Sequence, residues 1–80
     1  MQMTEEVLEF IVTNLVDNPE DIQIEARDDE DGTVQLELRV NPEDMGKVIG
    51  KRGRTAKAIR TMVKAAGTRE GVNASVEIVE

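Results

Sequence analysis

Apolar residues fall into blocks of two different periods along the chain. Val7, Leu8, Ile11, Val12 and Leu15 recur at the spacing of one helical arc, which predicts an amphipathic helix over residues 4 to 16, with Thr4 as its N-cap and acids in its first turn. Asp17-Asn18-Pro19 ends it. Ile22, Ile24 and Ala26 then alternate with polar residues, as do Val34, Leu36, Leu38 and Val40, and this is the period of half-buried strands. The acidic run from Asp28 to Gly32 between them predicts a hairpin turn.

Asn41-Pro42-Glu43-Asp44 has the form of a helix start: a capping side chain, proline at the first position and carboxylates at the positive end of the helix. The helix should run to Ile49 and stop at Gly50. A further helix from Arg54 places Ala56, Ile59, Val63 and Ala66 on an inward stripe, with Gly67 as the expected stop. Ala74, Val76 and Ile78 alternate again in a last strand. Helix, strand, strand, helix, helix, strand predicts an α+β fold of two layers, a three-stranded sheet with one face covered by three helices. With 80 residues and no linker or repeat, residues 1 to 80 are read as one domain.

Composition narrows the chemistry. The chain has no cysteine and no histidine, which removes disulfides, thiol nucleophiles, imidazole acid/base groups and the usual zinc ligands. No enzyme activity, metal or other cofactor, or small-molecule substrate is expected. No apolar run approaches the ~20 residues that cross a bilayer, and Glu5, Glu6 and Glu9 stand where a secretory signal would be basic, so a cytoplasmic location without membrane contact is expected. The net charge of -7 argues against nucleic acid until its distribution is considered. Residues 1 to 46 hold fourteen acids and two bases, residues 47 to 69 eight bases and no acid, and residues 70 to 80 three acids.

The basic stretch centres on Val48-Ile49-Gly50-Lys51-Arg52-Gly53, between two predicted helices. Glycines at both ends allow positive φ and close approach to the backbone, and the helix that follows offers unpaired N–H groups to a phosphate. Lys51 and Arg52 add charge at the tip. Lys57, Arg60 and Lys64 lie within about 60° of one another on the following helix and extend that surface. Gly46-Lys47-Val48-Ile49-Gly50-Lys51 is not a phosphate-binding P-loop, because it has three residues between its glycines and Arg52 after the lysine. Nor is the acidic turn a calcium loop, since aligning Gly32 with the loop glycine puts Arg27 and Leu38 at ligand positions. Gly46 sits within a helix, where close packing or the approach of a partner would explain it; Phe10 lies off the main apolar arc, either at the core rim or as a protein contact.

The Gly50 to Gly53 turn, its two flanking helices and the preceding amphipathic strand resemble the GXXG signature of the KH domain. The element order resembles the type II, bacterial form with a mixed sheet. Asp17-Asn18-Pro19-Glu20, the run from Pro42 to Lys51 and Ala56-Lys57-Ala58-Ile59-Arg60-Thr61 together resemble the KhpA family of small stand-alone bacterial KH proteins. This implies single-stranded RNA binding without catalysis, with Gly50, Lys51, Arg52 and Gly53 as the clamp and Ile49 and Ile59 at an apolar groove for bases. Beside these, the cations Lys47, Arg54, Lys57, Arg60 and Lys64 of the basic stretch are the further expected RNA-binding residues. Ala56 stands where many KH domains carry a large aliphatic residue, which implies a shallower groove. The resemblance also implies homodimerisation, pairing with a KhpB (Jag/EloR)-type KH protein, and a role as RNA chaperone or post-transcriptional regulator in cell elongation or division.

Overall fold

The computed structural model describes residues 3–80. Helix α1 spans Met3–Thr13, strand β1 Gln23–Asp28, strand β2 Thr33–Arg39, helix α2 Met45–Ile49, helix α3 Arg54–Arg69 and strand β3 Asn73–Ile78. Short 3₁₀ turns at Pro19–Asp21, Pro42–Asp44 and Lys51–Gly53 join them. β2 is the central strand, antiparallel to β1 and parallel to β3. This is the expected mixed sheet, and the parallel pair is possible because α2 and α3 form the long crossover it requires.

The alternation works as predicted in β2, where Val34, Leu36 and Leu38 are buried at the centre of the core. Leu8 and Val12 of α1, Val48 of α2, Ile59 and Val63 of α3, and Ala74 and Val76 of β3 close over them. All four residues of the expected α3 stripe are buried. Asn41 caps the turn before α2, its side-chain oxygen accepting from the Glu43 N–H at 2.8 Å. At the hairpin, Gly32 takes φ 86° and Asp31 accepts from the Thr33 N–H at 3.1 Å; the Thr33 hydroxyl first and this N–H second hold the Asp31 carboxyl below its ordinary pKa.

Four expected helix boundaries are corrected: α1 ends at Thr13 rather than residue 16, the helix expected from Pro42 opens as the 3₁₀ turn Pro42–Asp44 with α2 proper from Met45, and the roles of Thr4 and Gly67 change. Thr4 is not a cap: it lies inside α1, 1% exposed, and its hydroxyl has no partner among the described residues. Gly67 does not end α3. The helix runs on to Arg69 and closes at Gly71, φ 78°, with the Gly71 N–H on the Thr68 carbonyl at 3.1 Å and the Val72 N–H on the Gly67 carbonyl at 2.8 Å. These two bonds make a Schellman motif, with half-buried Val72 returning to the core. Gly67 is instead a packing residue, since a Cβ there would stand 2.9 Å from the Ala74 Cβ and 3.0 Å from the Val72 carbonyl oxygen. Helix α3 and strand β3 meet so closely at this point that no side chain fits.

Candidate nucleic-acid interface

The turn from Gly50 to Gly53 reverses the chain between α2 and α3 with positive φ at three residues in four. Gly50 has φ 76° and ψ 172°, Arg52 φ 59° and ψ 25°, and Gly53 φ 74° and ψ 14°. The two glycines meet different demands. A Cβ on Gly50 would stand 2.2 Å from the Thr55 hydroxyl oxygen and 2.8 Å from the Thr55 nitrogen, so both space and conformation require glycine. A Cβ on Gly53 would meet nothing within 4 Å, so only its φ does. Arg52 is the one described residue other than glycine with positive φ, which a side chain tolerates at a cost of about 1–2 kcal/mol.

Anchors on both sides hold the turn. Val48 is buried, Ile49 packs against the core, the Gly50 N–H donates to the Gly46 carbonyl at 2.9 Å and the Gly53 N–H to the Gly50 carbonyl at 3.1 Å. Lys51, Arg52 and Arg54 are exposed at the tip. Among the described residues no side chain caps α3, and its first turn carries no acid, so the positive end of the helix remains open beside these cations. Lys57, Arg60 and Lys64 are exposed on the continuing helix.

Not every expected contact residue is equally available. Ile59 is 1% exposed and belongs to the core, and Ala56 is buried beside it in the chain; Ile49 retains partial exposure next to the turn. The Arg60 Nε donates to the Val76 carbonyl of β3 at 3.2 Å, so its guanidinium bridges α3 to the sheet. Lys47 is paired with Asp17 and lies 3.7 Å from an Asp44 oxygen. Its hydrogen bond to Asp17, opposed by some desolvation, holds its ammonium above the ordinary lysine pKa.

Asp44 was a residue the helix-start pattern explained only as a favourable charge. It is 1% exposed, and its carboxylate accepts the Asp17 N–H at 3.1 Å, the Asn18 N–H at 3.0 Å and the Asn18 side-chain amide at 3.1 Å. It ties the segment after α1 to the start of α2, directly ahead of the turn. Gly46 has no packing reason, since a Cβ there would meet nothing within 4 Å. Phe10 is 72% exposed, which places it outside the core rim, and Met62 of α3 is 54% exposed. Among the described residues there is no group of acids arranged to hold a metal, and no helix is long and apolar enough to cross a membrane.

Known proteins resemble this chain in sequence and fold. The chain is 54% identical over 74 residues to the RNA-binding protein KhpA of Clostridium perfringens, covering 92% of this chain and 97% of that one. It is 48% identical over 79 residues to the RNA-binding protein KhpA of Bacillus subtilis, covering 99% and 96%. The fold also matches a crystal structure of Aquifex aeolicus Era bound to GDP and AlF4−, with a TM-score of 0.64 at 17% identity, over 95% of this chain and 29% of that one. The family model for the KhpA/KhpB KH domain matches residues 5–78, and the chain belongs to that family.

Proposed function

We propose that this protein binds single-stranded RNA, with the turn at Gly50, Lys51, Arg52 and Gly53 clamping the phosphate backbone and Arg54, Lys57 and Lys64 extending the contact. The reading rests above all on the turn itself. Positive φ at Gly50, Arg52 and Gly53 turns the chain tightly into α3, whose N-terminus has no side-chain cap among the described residues and has the exposed cations Lys51, Arg52 and Arg54 beside it. The names of the relatives, RNA-binding protein KhpA, support the same reading. The chain acts as one KH domain in the cytoplasm, without catalysis, as an RNA chaperone or post-transcriptional regulator in cell elongation or division.

A clamp on roughly three phosphates of a single strand predicts a slope near -2 for log affinity against log salt. Titration of a labelled single-stranded RNA at two salt concentrations should show this. The Lys51→Asp, Arg52→Asp double variant, folded by circular dichroism, should lose binding; an unchanged affinity would overturn the clamp.

So short a contact gains from a second domain, and the exposed Phe10 and Met62 favour self-association or pairing with a KhpB (Jag/EloR)-type KH protein as a further property. Light scattering at rising concentration, alone and with that partner, tests it. A strict monomer in both would exclude it.

A further inference from the structure

The sheet has two free edges, β1 and β3, and they are finished differently. On β3, the Val79 N–H points to Leu38 of β2, so the groups of Val76 point outward, and Arg60 occupies the Val76 carbonyl. On β1, the Asp29 N–H pairs with the Thr33 carbonyl, and the alternation of an antiparallel ladder then turns the N–H and C=O of Ile24 and Ala26 outward. Among the described residues no side chain hydrogen-bonds to them. Ala26 faces the helix layer beside fully buried Leu36 and is nevertheless exposed, so the helices stop short of this edge.

A cleft of about 210 Å³ lies between α1 and the start of β1, lined by Glu5, Glu9, Thr13, Pro19, Ile22 and Ile24. Pro19, Ile22 and Ile24 supply its apolar lining, and Glu5 and Glu9 line it from α1. Glu25 puts a further carboxylate on the other face of the strand, and Arg27, the one cation of β1, is paired with Glu37 at 3.1 Å. A strand added to β1 would place the side chain opposite Ile24 on the same face as Ile24, towards the cleft. A long aliphatic stem ending in a cation fits both the apolar lining and the carboxylates.

We propose that β1 is a docking edge for an extended basic segment of a protein partner, which adds a fourth strand and places a lysine or arginine between Glu5 and Glu9. Charge selects the occupant. A second copy offering its own β1 would bring Glu25 and Asp28 with only Arg27 to offset them to an edge that already carries Glu5 and Glu9, whereas a basic segment meets carboxylates on both faces of the strand. This edge is separate from the turn at Gly50 to Gly53, so its occupancy does not depend on RNA binding.

The test uses the full chain and a short labelled peptide alternating valine and arginine, with an aspartate-for-arginine version as control. The arginine peptide should bind by fluorescence anisotropy, and amide exchange should slow at Ile24 and Ala26. Glu5→Lys with Glu9→Lys should weaken it by about tenfold or more. Ala26→Pro, which removes an outward N–H, should abolish it while RNA affinity stays unchanged. Several results would overturn the proposal: no binding, equal binding of the aspartate peptide, or exchange protection at residues 50 to 53 in place of β1. Protection of Ile24 and Ala26 that grows with protein concentration in the absence of peptide would identify a second copy as the occupant and overturn it as well. If Ala26→Pro does not fold, the charge reversal and the exchange pattern decide the matter alone.

Discussion

The Asp44 carboxylate receives both the backbone N–H and the side-chain amide of Asn18, 26 residues away in sequence, at 3.0 and 3.1 Å. A buried charge persists only when its hydrogen-bonding capacity is met, and here the donors come from the segment that follows α1. The contact fixes where α2 begins, and therefore where the turn at Gly50 starts.

Asp44 should carry part of the acid sensitivity of the fold. Burial raises its pKa, but the N–H groups of Asp17 and Asn18, with Lys47 nearby, outweigh burial and hold it below the ordinary carboxylate value. The unfolded chain, with a carboxyl near pKa ~3.9, therefore binds the proton first. The stabilisation is complete above that value and is lost as pH falls through the lower folded value. Asp44→Asn should be less stable than wild type at pH 7 and show a flatter loss of stability on acidification, measured by urea unfolding across pH.

The two glycines of the turn should respond unequally to alanine. Gly50→Ala should cost at least ~2 kcal/mol, from the clash with Thr55 added to an unfavourable φ. Gly53→Ala should cost about 1 kcal/mol, from φ alone. Chemical denaturation of both variants separates the effects, and equal costs would contradict the geometry.

A second pair of glycines should change in opposite directions. Gly46→Ala gains up to about 1 kcal/mol of helix propensity in open space and should raise the melting temperature. Gly67→Ala should lower the melting temperature, at a cost of about 1–3 kcal/mol in stability, because the new methyl has no room against Ala74 and Val72. Thermal unfolding by circular dichroism reads both.

Arg52 is held in a conformation that suits glycine. Arg52→Gly should leave stability unchanged or raise it by up to about 1 kcal/mol while lowering RNA affinity. A variant that loses stability as well would show that the arginine side chain supports the fold.

Much of the molecule was legible because its signals are local. The strict alternation of Val34, Leu36 and Leu38 marked the central strand, Asn41 marked the capped turn before α2, and Ala56, Ile59, Val63 and Ala66 marked the buried side of α3. Gly50 to Gly53 was found for the same reason: a tight reversal between helices needs glycine at the chain positions where it occurs. The end of α3 was readable in principle, since Gly71 followed by apolar Val72 has the form of a Schellman stop, but Gly67 competed with it as a stop signal.

The sequence by itself determined the element order, the inward faces and the place of the cationic turn, because period, capping and turn chemistry act over a few residues. Only the tertiary structure decided what depends on distant segments meeting. It made Gly67 a contact with Ala74, gave Asp44 its partners after α1, drew Lys47 to Asp17 and Arg60 to Val76, and left the β1 edge open. The physical reason is that a side chain's neighbours across the fold leave no period in the chain that carries it.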